Sequence, residues 1–393
     1  MQTFNIKKLI LSNSLYAFFN VYIAWIVITP FFRANNINPL QISTLHTIQT
    51  ASWFVFLYIS GIAFDIFGAK TIFLVGRFAS LFATTLLLKP SFTSFVFTMA
   101  LFGISRGIIY GKYTSFVYNT LSIAGKLNIY PRVASAYYFV WDIAISLTSY
   151  VASLILKNND YQLLIKIGII LQILAIASVF ILIPSNNSSD FKQFQSSSVK
   201  EIFTSIIACM KKSSIFTYML LFYGLLTFIT YPLFIIIGDM VLVDNGWTGA
   251  EVAKYTTVMT TMMAIGTAIP IIIFPNGISV KKCVQISFIQ MLLALLAMLI
   301  YNVWFFIIVG CFTCMTYSLF QVSIERRFEE YSNKKVRGSA TSFSLSIGTL
   351  LQMFNVMLLG MIAKNFSYHI GMLVILIPIC LLAFFFTKKI NIK

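Results

Sequence analysis

The chain has 393 residues, of which 59% are hydrophobic, 16% aromatic and only 10% charged, and its formal net charge is +17. A soluble globular domain carries about 25% charged residues, so this composition excludes an ordinary soluble protein. The excess of Lys and Arg does not indicate a nucleic-acid partner, because these residues sit in short segments between apolar runs, as they do in membrane proteins.

Apolar runs of about 20 residues recur along the chain, and each is long enough to cross a bilayer core of about 30 Å. We predict an all-α integral membrane protein with twelve transmembrane helices, called spans 1 to 12. The first run is too long for a cleaved signal peptide and is assigned to span 1. The predicted ranges are 9–32, 41–63, 71–88, 92–117, 132–156, 161–184, 215–238, 249–275, 284–302, 304–324, 338–363 and 368–387.

The distribution of Lys and Arg predicts the orientation. An even number of spans places both termini on one side, and that side carries 19 Lys and Arg residues against 6 on the other. Positive residues concentrate on the cytoplasmic side of membrane proteins. We therefore predict a multi-pass protein of the cytoplasmic (inner) membrane with both termini in the cytoplasm. The opposite side is called the predicted external side.

Between spans 2 and 3 the sequence reads Gly61-Ile-Ala-Phe-Asp65-Ile-Phe-Gly68-Ala-Lys70. On physical grounds, Gly61 predicts close helix approach, Gly68 a short turn with positive φ, and Lys70 a cytoplasmic end. The stretch resembles the G-x-x-x-D-R-x-G-R-R/K motif of the major facilitator superfamily. The matching residues are Gly61, Asp65, Gly68 and Lys70, and Ile66 stands where the motif has Arg.

The resemblance implies two six-helix halves, and the one long polar interruption, 185–214, divides the chain in that way. The halves are an N-terminal bundle, 1–184, and a C-terminal bundle, 215–393. The interruption starts as a Ser- and Asn-rich linker. Apolar residues at helical spacing then predict an amphipathic helix on the cytoplasmic membrane surface: Val199, Ile202, Phe203, Ile206, Ile207 and Met210. The resemblance also implies a conformational role for the 61–70 motif, with Asp65 meeting the start of span 11.

Span 4 carries Gly103, Gly107 and Gly111 at intervals of four residues, which predicts a close packing surface for another helix. Arg106 lies on a neighbouring face, and Tyr110 follows it by one turn. An arginine within span 4, near glycines, resembles the second motif of the superfamily, which is implicated in proton coupling. The spacing to Gly111 differs from the usual one.

Asp142 in span 5 lies at a similar predicted depth to Arg106. A charged residue at the centre of a span costs about 2.5–3.5 kcal/mol, so such residues are candidates for function. We predict that Arg106 and Asp142 form the proton-coupling pair, with Asp142 exchanging the proton. The alternative is a static ion pair that only fixes helix packing. Every other carboxylate, Asp239 included, falls in a predicted loop or at a span end.

In the superfamily, spans 1, 4, 7 and 10 line a central cavity. The resemblance therefore implies that polar and aromatic side chains of these spans bind the substrate, although each of them is also common in helix packing. The candidate substrate-binding residues are Asn20, Tyr110, Tyr223, Tyr317 and Gln321.

Nothing in the sequence indicates catalysis. His46 and His369 are predicted to lie near external ends, at the membrane interface, and neither has a second ligand at metal-binding spacing. No nucleophile elbow and no phosphate-binding loop is found, so no enzyme activity, metal or cofactor is predicted.

Together these features favour a secondary active transporter, coupled to protons, that moves a small organic solute by alternating access. Two alternatives remain open: export of a metabolite, siderophore or drug, and a membrane-embedded enzyme or sensor on the same scaffold. Span 5 lacks the Gly- and Pro-rich signature of the superfamily's drug/proton antiporters, which lowers the case for drug export. The expected partners are a small-molecule substrate, the proton and the lipid bilayer, with no nucleic acid, and a monomer is expected.

Overall fold

The computed structural model describes residues 14–109, 112–123, 125–182, 204, 207–208, 210–211, 217–218, 221–222, 224–225, 232–272, 280–300, 302–331 and 337–391. Helices account for nearly all of these residues, and no strand occurs among them. Six stretches within them are long and apolar enough to cross a membrane: Ala69–Leu86, Phe92–Ile109, Leu127–Asn158, Tyr161–Phe180, Val303–Gln321 and Leu345–Ala363. The chain is therefore an all-α, multi-pass membrane protein, as its composition predicts.

The helices follow the predicted spans in order. Spans 5, 6 and 8 to 12 correspond to Tyr130–Ile155, Tyr161–Leu182, Gly249–Ile272, Val280–Ile300, Val303–Tyr331, Arg337–Ala363 and Tyr368–Asn391. Span 4 comprises Phe92–Ile109 and Lys112–Ile123. The described end of span 7 is a π-helical turn, Pro232–Ile237, followed by the helix Gly238–Asp244, so this span continues beyond its predicted end.

Spans 2 and 3 lie within one helical segment, Pro39–Leu86, which begins with a capping box at Asn38. The 48 residues would extend about 72 Å if they formed a straight helix. Helical backbone runs through residues 61–70, including Gly68, where a short turn was predicted. The chain nevertheless reverses its direction there, as its contacts with span 4 show.

The contacts with span 4 run in opposite directions on the two sides of the motif. Gly103 lies against Gln49, and Gly107 lies against the following turn of span 2, which makes spans 2 and 4 parallel. In contrast, Thr98 donates a hydrogen bond to the Ala83 carbonyl at 3.2 Å, in the antiparallel sense. Spans 2 and 3 therefore form a helical hairpin around span 4.

Close backbone approach explains the glycines of span 4. A Cβ atom at Gly103 would lie 2.2 Å from the carbonyl oxygen of Gln49, and one at Gly107 would lie 2.7 Å from that of Trp53. The predicted packing surface is confirmed for these two glycines. Gly111 lies outside the described residues.

Replacing Gly103 with Ala is expected to destabilise the protein by at least about 1–3 kcal/mol, because the added methyl group meets backbone that cannot move aside. Gly168→Ala is the matched control, since the three atoms nearest to its Cβ would belong to side chains, those of Ile23, Thr84 and Ala24, at 3.1, 3.3 and 3.7 Å. Thermal unfolding of the purified protein in detergent measures both. A smaller loss for Gly103→Ala than for Gly168→Ala would contradict this packing.

Span 1 is not a continuous helix, although the sequence predicted one. Residues 14–19 are helical, residues 20–22 are not, and the helix resumes as Ile23–Ile26 and Ile28–Ala34. Non-helical backbone is tolerated at membrane depth only where it is buried in protein or lines a cavity.

Side chains from other spans satisfy the carbonyl groups at this break. The indole Nε1 of Trp141 donates to the Asn20 carbonyl at 3.2 Å. The amide Nε2 of Gln172 donates to the Val21 carbonyl at 3.0 Å. Spans 5 and 6 therefore hold the break of span 1 in place.

The two halves of the chain meet along two pairs of spans. Span 2 packs against span 11, where Gln352 Nε2 donates to Thr50 Oγ1 at 3.1 Å. Span 5 packs against span 8, where the hydroxyl oxygens of Ser146 and Thr261 lie 2.6 Å apart. Small polar side chains thus connect the halves on both sides.

Further contacts close the predicted external side. The Tyr368 hydroxyl at the start of span 12 donates to the Pro39 carbonyl at the start of span 2, at 2.9 Å. Gly249 at the start of span 8 approaches the hydroxyl of Tyr161 at the start of span 6. In this conformation the two halves are therefore joined at their predicted external ends.

Candidate functional site

A cavity of about 100 Å³ lies between the two halves. This is several times the volume that one water molecule needs on the same measure. The cavity brings together five residues predicted from the sequence: Asn20, Arg106, Asp142, Tyr317 and Gln321. They come from spans 1, 4, 5 and 10, so residues that are far apart in the sequence lie around the same cavity.

Two of the predicted substrate-binding residues, Tyr110 and Tyr223, lie outside the described residues. The same holds for most of the predicted amphipathic helix and for the linker before it. Their predicted roles stay predictions.

The cavity wall also has an aromatic and amide part that was not predicted from the sequence. Trp25, Gln49, Tyr137 and Trp141 all line the cavity. Rings with a polar atom at the edge suit a ligand that has both apolar and hydrogen-bonding groups. Tyr137 and Trp141 are four residues apart and stack, with centroids 6.4 Å apart, a spacing that could have revealed this face.

Arg106 lies on the cavity wall between two tryptophan rings. Its guanidinium carbon is 5.1 Å from the centroid of the Trp25 ring and 4.6 Å from that of Trp53. Such cation–π contacts contribute about 0.5–2 kcal/mol each, which offsets part of the cost of a charge within a span. The two rings orient the guanidinium where spans 1, 2 and 4 meet.

Asp142 lies at the middle of the helix Tyr130–Ile155 and is only 3% exposed. Its Oδ2 atom accepts a hydrogen bond from the Thr267 hydroxyl of span 8, at 3.5 Å. The carboxylate therefore sits both on the cavity wall and at the contact between the two halves. Arg106 and Asp142 thus line the same cavity, Arg106 beside two tryptophan rings and Asp142 beside Thr267.

A second carboxylate, Asp239, is also buried. It is 5% exposed in the helix Gly238–Asp244, and its Oδ1 atom has no hydrogen-bond partner. It was predicted to lie at a span end, and it does lie near the end of span 7, but packing between the spans encloses it. Asp142 is thus not the only buried carboxylate among the described residues.

Arg77 of span 3, for which the sequence predicted no role, is completely buried. Its guanidinium carbon lies 5.4 Å from the centroid of the Tyr16 ring and 5.3 Å from that of Tyr22. Its Nη2 atom donates to the Tyr16 hydroxyl at 3.5 Å, while Nε and Nη1 have no hydrogen-bond partner.

His46 is buried, so its predicted place at the membrane interface is wrong. The side chain is 1% exposed, and its Nε2 atom lies 3.1 Å from the Thr29 hydroxyl of span 1. Its ring meets Phe32 edge to face. His46 therefore packs span 2 against span 1. His369 is partly exposed at the start of span 12.

In the 61–70 motif the structure describes the side chain of Lys70 but not those of Gly61, Asp65 and Gly68. The Lys70 Nζ atom donates to the Phe180 carbonyl at 3.0 Å and lies 5.6 Å from the centroid of the Phe180 ring. A cation stabilises the carbonyl end of a helix. Lys70 thus fastens the hairpin of spans 2 and 3 to the end of span 6.

No family model matches the sequence, and no curated protein matches it. The structure, however, resembles solved transporters over nearly the whole chain. A crystal structure of a variant of the nucleoside transporter NupG has a TM-score of 0.71 at 14% identity, covering 97% of this chain and 99% of that chain. The D-xylose-proton symporter has a TM-score of 0.75 at 13% identity, with coverages of 98% and 97%. The human organic anion transporter MFSD10 (TETRAN) has a TM-score of 0.65 at 12% identity, covering 98% of this chain and 100% of that chain.

The chain therefore has the fold of major facilitator superfamily transporters, as the 61–70 motif indicated. The similarity extends over both halves, because each comparison covers at least 97% of the chain. At these sequence identities it defines the fold alone. What the protein binds has to be argued from the residues of its own cavity.

Proposed function

We propose that the protein is a secondary active transporter that carries a small organic solute through the membrane by alternating access. The observation that supports this most is the position of the cavity, which lies between two halves that are joined at their predicted external ends. Separation of these contacts would open the cavity to that side. Structural neighbours that carry nucleosides, xylose or organic anions use the same fold.

Proton coupling through Asp142 is the second part of the proposal. The carboxylate lies on the cavity wall and accepts a hydrogen bond from Thr267 across the contact between the halves. Protonation of Asp142 removes its negative charge and changes it from an acceptor into a donor at one oxygen. The proton state therefore acts both on the solute site and on the contact between spans 5 and 8. One structural neighbour is a xylose-proton symporter.

Arg106, which lines the same cavity, is proposed to take part in the same transport cycle. As long as Asp142 is ionised, the guanidinium is attracted to it, because opposite charges in a low-dielectric cavity attract over several ångströms. Once Asp142 is protonated, Arg106 becomes available to an anionic or polar group of the solute. The static alternative, in which the two charges only fix packing, predicts no effect of either residue on coupling.

Topology and direction belong to the proposal as well. Both termini lie in the cytoplasm, two six-helix bundles flank a cytoplasmic linker, and the chain works as a monomer in the inner membrane. Asp65 holds the cytoplasmically closed state by meeting the start of span 11. Uptake is favoured over export of a metabolite, siderophore or drug, because span 5 lacks the Gly- and Pro-rich signature of the superfamily's drug/proton antiporters.

Transport by purified protein in liposomes tests the proposed function. The liposomes are exposed to a defined mixture of amino acids, monosaccharides, nucleosides and small organic acids, with the interior one pH unit above the exterior, and mass spectrometry measures their contents. One pH unit is worth about 1.4 kcal/mol per proton, which supports up to about tenfold accumulation of a solute carried with one proton. At least one solute is expected to accumulate.

Each alternative gives a different result in the same assay. Accumulation only with the pH gradient reversed would indicate an exporter that exchanges solute for protons. Chemical conversion of a solute without a gradient would indicate an enzyme. Contents identical to those of protein-free liposomes, under either gradient, would contradict the proposed function.

A further inference from the structure

We propose that Arg77 is the receptor for a carboxylate group of the transported solute, reached from the cavity through the break in span 1. This inference rests on the proposed function and names the chemistry of its substrate, a small organic monoanion. It starts from Arg77, a fully buried cation for which the described residues supply no carboxylate partner.

The hydrogen-bonding groups of Arg77 are largely unused. Buried polar groups in native proteins are nearly always hydrogen-bonded, so two bare guanidinium nitrogens, Nε and Nη1, call for an explanation. Asn20 adds an acceptor atom in the same condition, since its Oδ1 atom is buried without a partner. The Nδ2 atom of Asn20 donates to the Tyr137 hydroxyl at 3.4 Å, which fixes the amide beside the cavity.

One layer of side chains separates Arg77 from the cavity. The ring of Tyr22 faces the guanidinium on one side and forms part of the cavity wall on the other. The Tyr22 hydroxyl lies 3.0 Å from Ser105 Oγ, and its ring meets that of Phe102 edge to face, with centroids 5.9 Å apart. Rotation of this one side chain would join the guanidinium to the cavity.

The layer belongs to the segment of span 1 that is not helical. Residues 20–22 are not helical. The side chains of Trp141 and Gln172 donate hydrogen bonds to the carbonyls of Asn20 and Val21. In membrane transporters, discontinuous helices of this kind surround bound solutes and ions.

Charge selects a monoanion. While Asp142 is ionised, the charged side chains described in the interior of the N-terminal half leave one positive charge uncompensated, because Arg77 and Arg106 are positive and Asp142 is negative. One carboxylate neutralises it, whereas a phosphate dianion would leave an excess of negative charge in a low-dielectric site. A planar guanidinium also matches a carboxylate in two parallel hydrogen bonds.

Thermal unfolding of the purified protein with matched ligand pairs tests the assignment. The pairs are benzoate and benzamide, nicotinate and nicotinamide, and propionate and propionamide, with inorganic phosphate as a further anion. At least one carboxylate is expected to raise the melting temperature more than its amide does. In Arg77→Gln this difference should vanish, whereas Arg132→Gln, which removes an exposed arginine, should keep it.

The ligand-free variant separates a receptor from a structural residue. If Arg77 is the receptor for an anion, Arg77→Gln removes an uncompensated buried charge. The melting temperature of the ligand-free variant should then equal or exceed that of the ligand-free parent protein. If Arg77→Gln does not purify as a single species, Arg77→Lys replaces it, and a smaller carboxylate shift is expected because a point charge does not replace a planar fork.

Several results would overturn the assignment. They are no carboxylate exceeding its amide in the parent protein, stabilisation by phosphate alone, or an unchanged carboxylate preference in the Arg77 variants. Since binding in detergent requires no flux, these results are independent of the liposome assay. If the carboxylate preference depends on Arg77 but the liposomes show no transport, the carboxylate site is supported and the proposed transport function is rejected.

Discussion

Replacing Asp142 with Asn is expected to abolish accumulation driven by a pH gradient, from up to about tenfold per pH unit to simple equilibration, for a solute carried with one proton. Asparagine mimics the protonated carboxyl group but cannot release a proton. It can still accept the Thr267 hydroxyl bond, so the contact between spans 5 and 8 is kept. Exchange of labelled for unlabelled solute needs no proton transfer and should persist near the parental rate.

Asp239→Asn is the matched control, because it makes the same change at the other buried carboxylate. That residue lies in the helix Gly238–Asp244 and is not among the residues that line the cavity. We expect Asp239→Asn to keep accumulation that depends on pH. Both activities are measured in the same liposomes at equal protein content. Accumulation retained in Asp142→Asn and lost in Asp239→Asn would assign the proton to the C-terminal half.

The broad architecture could be predicted because hydrophobic length is a strong signal. The ends of a span can be predicted from the limits of an apolar run of about 20 residues. The helices Tyr130–Ile155 and Arg337–Ala363, for example, begin and end close to their predicted limits. Gly103 and Gly107 were equally accessible to prediction, since only small residues permit contact between backbones.

The break in span 1 could not be predicted, because its cause lies elsewhere in the chain. Residues 20–22 contain neither Gly nor Pro. Their carbonyls leave the helix because Trp141 and Gln172, more than a hundred residues away in sequence, replace the lost helical hydrogen bonds. Such compensation is visible only once the spans are packed.

Burial at the ends of spans was misjudged for a related reason. Sequence position suggested that His46 and Asp239 lie near the membrane surface, where polar side chains meet water. In the structure, other spans cover both residues. Depth along a span can be estimated from sequence, but whether a side chain faces lipid, water or another helix depends on the packing of the bundle.

A disulfide between spans 5 and 8 should stop transport, since alternating access requires the two halves to separate. The Ser146 and Thr261 hydroxyl oxygens lie 2.6 Å apart, in the half of span 5 nearer to the predicted external side. Cysteines at both positions can therefore approach the sulfur–sulfur distance of about 2.05 Å. The single variants Ser146→Cys and Thr261→Cys, oxidised in the same way, control for the natural cysteines.

The decisive measurement is solute uptake by liposomes that contain the Ser146→Cys/Thr261→Cys protein, before oxidation, after oxidation and after reduction. Mass spectrometry determines the cross-linked fraction. Movement of the halves around the cavity predicts that uptake falls at least tenfold when cross-linking is complete, and that reduction restores it. Full uptake by completely cross-linked protein would contradict alternating access between these halves.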